Sequence, residues 1–393
     1  MSTTTHRIIV GDAADMGGVA DSSVALVVTS PPYPMIGMWD ELFRARDPRI
    51  GDALDAGDGP AAFERMHADL DRVWAEVRRV LINGGIACVN IGDATRTVAD
   101  RFRLYSNHAR IVSSFVDLGL DVLPAIIWRK QTNAPNKFMG SGMLPGGAYV
   151  TLEHEYILVF RNGARRAFDT DRTKSARRRS AYFWEERNRW FSDLWDFKGV
   201  RQALAPTDPR LRSAAFPFEL AYRLIGMYSC EGDTVLDPFV GTGTTTLAAI
   251  AAARDSIGVE IDAGMLAAVR ARVDGCAPAL NDYLRQRVSS HLEFCTARER
   301  ETGVQLTYRS RHHGFPVMTA QEVDMVMEVV STVTADDSGW TAEHDPLGRV
   351  AAPADLIALG AGPGAPGAGA AGQSQQSLFD DVPAAARSEQ ASR

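Results

Sequence analysis

The chain has 393 residues, an ordinary 45% apolar content and a net charge of −7. That length holds one large α/β domain with an insert and a tail, and that charge excludes a uniformly basic nucleic-acid coat while leaving room for a local basic face. No run is long and apolar enough to cross a bilayer, and Met1 to His6 lacks the apolar core of a signal peptide. Cys88, Cys230, Cys276 and Cys295 are scattered without metal-ligand spacing or a disulfide framework, so a reducing cytoplasm is expected and no metal site is predicted.

In chain order, Arg7 to Val10 reads as a first strand closed by Gly11-Asp12. Ala25-Leu26-Val27-Val28 is an apolar, β-branched run of the kind that forms a buried parallel strand. Thr29-Ser30-Pro31-Pro32-Tyr33 follows, and its prolines stop the strand at its carboxyl end, where open α/β sheets bind ligands. The stretch 34–60 has no clear period and has the length of a lid or binding loop. In it Met35, Met38, Trp39 and Phe43 either cover a base or pack the loop on the sheet. A helix is expected from Ala61, with Phe63, Met66, Leu70, Val73, Trp74, Val77 and Leu81 on one stripe and Asn83-Gly84-Gly85 as its stop. Strands are expected over 86–91, 121–128 and 153–160, with a short helix over 110–117. This order implies parallel pairing with right-handed crossovers. Between the last two strands, 130–147 is rich in Gly, Pro and Asn and reads as a mobile loop.

The composition changes over 161–201. Arg177, Arg178, Arg179, Arg187, Arg189 and Lys198 are interleaved there with Tyr182, Phe183, Trp184, Trp190, Phe191 and Trp195. Guanidinium groups suit phosphates and guanine edges, and aromatic rings suit unstacked bases or a local core. Because the stretch is local within an acidic protein, nucleic-acid contact is the favoured reading over a solvated arginine surface around an aromatic core. Helical periodicity returns over 215–229, and Thr234-Val235-Leu236 reads as a strand ending in Asp237-Pro238-Phe239-Val240-Gly241-Thr242-Gly243-Thr244-Thr245. An alanine-rich helix, a strand ending at Glu260 and a helix over 265–273 complete this half. The region 276–332 is hard to read; Tyr283, its arginines, His312 and His313 could extend the basic face, and the His312-His313 pair is taken as structural or exposed rather than metal-binding. From Ala351 the chain is Ala, Gly, Pro, Ser and Gln, a composition that predicts disorder.

The glycine loop after Leu236 lacks the lysine and spacing of a phosphate-binding loop and the spacing of a dinucleotide fingerprint. It places a carboxylate at a strand end, then two close glycines, then threonines at a helix start. Glu260 at the end of the next strand is placed like the acid that binds ribose hydroxyls. A nucleoside site is the reading these residues favour.

Asp-Pro-Phe-x-Gly-x-Gly-Thr-Thr together with Thr-Ser-Pro-Pro-Tyr resembles the beta class of S-adenosylmethionine-dependent DNA amino methyltransferases, in which the catalytic motif precedes the cofactor motif. The resemblance covers about residues 7–273. It implies a doubly wound, mostly parallel α/β sheet of the Rossmann-like methyltransferase type with permuted motif order. The expected division is a catalytic half over 1–160, a target-recognition region over 161–214 and a cofactor half over 215–275, then an extension over 276–350 and a disordered tail over 351–393. The resemblance also implies that Phe216 and Pro217 border the methionine moiety and that Asp237 binds its amino group. Gly241 and Gly243 would approach the cofactor beside Phe239 and Thr244, Glu260 would hold the ribose and Asp12 would meet the adenine. Ser30, Pro31, Pro32 and Tyr33 would be the catalytic corner.

An exocyclic base amine is a poor nucleophile because its lone pair is delocalised into the ring. Acceptors for both N–H groups favour a pyramidal nitrogen, and Ser30 Oγ and the Pro31 carbonyl are suitable, with Pro32 holding the turn. Positioning and charge placement carry most of such a reaction. The base must leave the helix, and Tyr33 is the natural ring to stack on it. Chain-wide, no Pro-Cys pair offers a thiol for attack on a pyrimidine ring. In the resembled family a serine at the first motif position leans toward cytosine N4, and Asp or Asn toward adenine N6. The expectation is therefore a sequence-specific N4-cytosine methyltransferase acting on double-stranded DNA, with N6-adenine as the alternative and a catalytically silent DNA-binding accessory protein as a distant one. Such a protein would be cytoplasmic, bacterial and nucleoid-associated, and could work beside a cognate restriction endonuclease. In the tail, Gln375, Leu378 and Phe379 lie in a segment resembling the short peptide that binds the replicative sliding clamp.

Overall fold

The computed structural model describes residues 2–130, 139–198 and 216–350. The tail over 351–393, with Gln375, Leu378 and Phe379, lies outside the described residues, as does part of the loop over 130–147.

One ten-stranded sheet organises the chain. Its strands are β1 (Ser2–Val10), β2 (Val24–Thr29), β3 (Leu81–Ile91), β4 (Asp121–Arg129), β5 (His154–Arg161), β6 (Leu194–Asp196), β7 (Thr234–Asp237), β8 (Asp255–Glu260), β9 (Glu328–Ala335) and β10 (Trp340–Pro346). They lie in the order β6-β4-β5-β3-β2-β7-β8-β1-β10-β9. The block β3-β2-β7-β8-β1 is parallel throughout. Side chains of β2 alternate between two cores: Leu26 and Val28 face the helices Phe218–Tyr228 and Thr244–Ala251, while Val27 faces the helix Gly59–Val80. That alternation is the period of two expected of a strand covered on both faces.

The helix Gly59–Val80 begins two residues before the expected start, because the Asp58 side chain accepts from the Ala61 N–H at 3.0 Å and Pro60 occupies the first turn. Of the expected stripe, Met66, Leu70, Val73, Trp74 and Val77 are buried and Phe63 is half-buried, but the helix ends at Val80: Leu81 opens β3, and Asn83-Gly84-Gly85, expected as the stop, lie within that strand.

Parallel pairing fails at two places. β5 runs antiparallel to both β3 and β4, with Tyr156 opposite Ile91 and Arg161 opposite Ile86. No helix is found among the described residues between β4 and β5, so the chain turns back at one edge of the sheet instead of crossing over it. β10 is antiparallel to β1 and to β9. Residues 276–350 are therefore part of the same sheet: they supply the last two strands at one side of it and the long helix Ala277–Thr302.

Strand order also explains where a ligand can sit. From β2 the chain moves to β3 on one side, and from β7 it moves to β8 on the other. The carboxyl ends of β2 and β7 thus diverge at a topological switch point, and a crevice opens between the connections.

The arginine and aromatic stretch divides on folding. Phe183, Trp190 and Trp195 are buried in the main core, so for these rings the local core prevails over base stacking. Trp184 and Phe191 remain exposed. Arg179 pairs with Glu231 at 2.6 Å and approaches Glu328 at 3.6 Å, Arg177 lies over the Phe168 ring at 4.7 Å, and Arg187 lies over Phe191. Arg177, Arg178 and Arg187 line a groove shared with Ile86, Leu123 and Cys230, at the edge where the parallel strands begin. Ser30 lies at the edge where they end. At about 3.3 Å per residue, the five steps from Ile86 to Ile91 separate the two edges by about 16 Å. Lys198, just beyond β6, and exposed Arg189 are not in that groove; Lys198 follows Asp196, which pairs with Arg129 at the edge where the parallel strands end. His313, expected on a basic face, is instead buried, with Nδ1 against the Gly348 carbonyl and Nε2 accepting from the Met327 N–H.

Candidate active site

The crevice at the switch point holds a cavity of about 390 Å³. Ser30 and Pro32 line it from the β2 side. Asp237, Phe239, Gly241 and Thr244 line it from the β7 loop, and Glu260 from the end of β8. Asp12 and Phe216 complete the wall. Residues more than two hundred positions apart thus meet in one pocket, as the pairing of the two motifs predicts. Pro31, Tyr33, Pro217 and Gly243, expected at the site, are not among the residues that line it. Of the loop residues expected to cover a base or pack inward, Met38, Trp39 and Phe43 line the cavity, whereas Met35 is buried in the core.

Asp237 ties the two halves together. Thr29 Oγ1 donates to one of its oxygens at 2.7 Å, Thr245 Oγ1 to the other at 2.6 Å, and the Phe239 N–H to the first at 3.1 Å. Burial pushes its carboxyl up to about 6, against these three donors. Three of about four acceptor positions are filled, which leaves one for a ligand.

The Glu260 carboxylate accepts from the Gly241 N–H and the Asp262 N–H, both at 3.0 Å, and burial raises its pKa. Gly241 has φ +51°, and a Cβ there would meet only the Phe239 carbonyl at 3.9 Å, so bare backbone borders open space. Gly243 serves differently. With φ +82° it precedes the helix Thr244–Ala251, and a Cβ would press on Val269 at 3.1 Å. Asp12 pairs with Arg46 at 3.0 Å and caps the Ala14 N–H at 2.9 Å. Burial opposes them, but these partners hold its carboxyl below the usual range.

Behind Ser30 lies a network that sequence reasoning missed. Ser30 Oγ donates to the Tyr33 hydroxyl at 3.1 Å, and that hydroxyl donates to Glu155 Oε2 at 2.9 Å. Asn90 Nδ2 donates to both, at 2.9 and 2.7 Å, and Lys130 Nζ pairs with Glu155 Oε1. Burial, and next to it the Glu155 charge, push the Tyr33 phenol well above its ordinary range, so it stays protonated. Tyr33 is half-buried, and its ring edge would lie 3.1 Å from a Cβ on Gly92.

The architecture and this pocket define a doubly wound α/β protein in which the residues after β2 and the glycine loop after β7 border one cavity. Residues 24–270 match the sequence model of the N6/N4 DNA methylases, and the chain belongs to that family. It is 51% identical over 324 residues to the Type II methyltransferase M.MthZI of Methanothermobacter thermautotrophicus, covering 82% of this chain and 90% of that protein. It is 50% identical over 273 residues to the Type II methyltransferase M.MjaI of Methanocaldococcus jannaschii, covering 66% and 88%. Among solved structures, it resembles TTHA0409 of Thermus thermophilus in complex with S-adenosyl-L-methionine, with TM-score 0.53 and 33% identity over 68% of this chain and 93% of that one. Among the described residues no helix is long and apolar enough to cross a membrane, and no group of three His, Cys, Asp or Glu side chains could hold a metal ion.

Proposed function

We propose that this DNA methylase transfers a methyl group from S-adenosylmethionine to the N4 amine of a cytosine flipped from double-stranded DNA, as the modification enzyme of a Type II system. The observation that carries it is the shared cavity: Ser30 lines the same space as Asp237, Gly241 and Glu260. The names of M.MthZI and M.MjaI support the system, and TTHA0409 supports the cofactor. The pocket fits that cofactor: its volume falls in the range of about 300–1,000 Å³ usual for ligand sites, and its polar groups converge from four strand ends.

When bound, the cofactor supplies an electrophilic methyl group. Glu260 would hold the ribose, the Gly241 backbone would lie along the ligand, Asp237 would accept from its ammonium, Asp12 would meet the adenine, and Phe216 would border the methionine chain. Ser30 Oγ and the Pro31 carbonyl accept from the two N–H groups of the target amine, so that its lone pair localises toward the methyl group. Serine rather than Asp or Asn at position 30 favours cytosine. Arg177, Arg178, Arg187, Arg189 and Lys198 remain proposed phosphate contacts. For the three in the groove at the opposite edge, contact requires DNA to reach across that face.

Hydrolysis of modified DNA to nucleosides, followed by mass spectrometry, is expected to yield N4-methylcytosine. N6-methyladenine would assign the alternative base, and no methylated nucleoside would overturn the activity.

The raised carboxyl of Asp237 gives a pH signature. A ligand ammonium binds the ionised form, and below about 6 the carboxyl must first lose a proton. Cofactor affinity is therefore expected to be level at neutral pH and about tenfold weaker one unit below the Asp237 pKa. Calorimetric titration across that range checks it, and Asp237→Asn should flatten the profile. An equally steep profile in Asp237→Asn would take the ammonium away from this residue.

A further inference from the structure

We propose that Glu155 is a positioning residue which, through Tyr33, compels the Ser30 hydroxyl to meet the target amine as an acceptor; this rests on the role given to Ser30 above. A hydroxyl has one proton and two lone pairs, and it can turn either toward a neighbour. Facing an N–H group, only the lone pair is useful. A carboxylate at that position would accept in any orientation, but a serine needs its proton held elsewhere.

The network behind the corner fixes that proton by elimination. Glu155 is met by donors on both oxygens: Lys130 Nζ on Oε1, and Asn90 Nδ2 and the Tyr33 hydroxyl on Oε2. A carboxylate so placed only accepts, so the single phenolic proton points to Glu155. The Tyr33 oxygen is left with two lone pairs, and they receive Asn90 Nδ2 at 2.9 Å and Ser30 Oγ at 3.1 Å. Ser30 must then donate to Tyr33, and its own lone pairs remain for the cavity. The phenol oxygen is saturated by these three bonds, which makes it a relay of polarity rather than a group that touches the base through its hydroxyl.

The antiparallel course of β5 makes this possible. A parallel strand here would bring its carboxyl end to the catalytic edge. The reversed strand brings its beginning, with Glu155 one residue before the Tyr156 that pairs with Ile91. Lys130 follows directly on β4, and its N–H bonds the Glu153 carbonyl at 2.7 Å, so both ends of the ion pair are anchored by backbone.

The test is a mutant cycle read in single-turnover methyl transfer at saturating DNA and cofactor, with cofactor Kd measured by calorimetry. Glu155→Gln and Tyr33→Phe are each expected to slow transfer about tenfold while leaving Kd within about twofold, because hydrogen-bond direction is lost and the cofactor wall is not. Adding Glu155→Gln to Ser30→Ala should cost less than about twofold more, since Glu155 then has no hydroxyl to orient. Multiplying penalties in the double variant, or wild-type rates in both single variants, would overturn the proposal. If Glu155→Gln failed to bind cofactor, Tyr33→Phe would decide alone, and a wild-type rate there would overturn it. A Ser30→Ala enzyme at wild-type rate would instead remove the role of Ser30 itself, so the two failures are distinguishable.

Discussion

A Ser30→Ala enzyme is expected to bind S-adenosylmethionine within about twofold of the wild type and to transfer the methyl group about 100- to 1,000-fold more slowly, the usual loss when one preorganised hydrogen-bond partner of a reacting group is removed. The size of the effect follows from how few groups act on the amine. Its lone pair belongs to the ring until both N–H groups find acceptors, and the corner offers a side-chain oxygen and one proline carbonyl. The deletion removes a single hydroxyl from a half-buried side chain at the pocket wall, and the Tyr33 hydroxyl keeps Glu155 and Asn90 as partners. Fold and cofactor wall should therefore survive, and the loss should fall on the chemical step. Single-turnover transfer of a radiolabelled methyl group measures it. A rate within about threefold of wild type would show that the proline carbonyl and geometry suffice.

What the sequence disclosed, and what it hid, divides along physical lines. The β2 run and the Asp237 loop were legible because each compresses its whole message into a few neighbouring residues: a strand, a stop and the polar groups that follow. Their meeting in one cavity was legible because the order of elements permits only a few sheets. Glu155 was not legible. It is 122 positions from Tyr33, and its place depends on β5 running backward, which strand-shaped periodicity cannot report. The helix Ala277–Thr302 was hidden for another reason. Its buried stripe includes Leu280, Leu284 and Val288, but also Tyr283, His291 and Cys295. Those side chains are buried by partners rather than by hydropathy: His291 stacks on Phe183 at 3.7 Å and meets Glu185 at 2.8 Å. In the stretch over 161–201 the aromatics were ambiguous because core and base stacking ask for the same rings. Only tertiary placement separates buried Trp190 from exposed Trp184.

Arg287→Met is expected to destabilise the protein by about 3–5 kcal/mol, because it leaves the Glu186 carboxylate buried without its partner. Glu186 is 3% exposed and receives Arg287 Nη2 at 2.7 Å and the Phe183 N–H at 3.0 Å. Arg287 also donates to the Tyr222 hydroxyl at 2.9 Å and lies over the rings of Phe183, Trp190 and Tyr222. One guanidinium thus joins three helices: Trp184–Trp190, Phe218–Tyr228 and Ala277–Thr302. Urea unfolding should show the loss as a lower midpoint, and the melting temperature should fall by about 5 °C. The double variant Arg287→Met/Glu186→Leu should recover most of it, since no charge then remains in the core. A single variant as stable as wild type would mean that water reaches Glu186. The consequence extends to catalysis, because the helix Phe218–Tyr228 is the one that Phe216 precedes at the cavity wall. Loosening that helix should weaken cofactor binding before the protein unfolds, and the double variant, which restores the packing without the charge, should restore the binding as well.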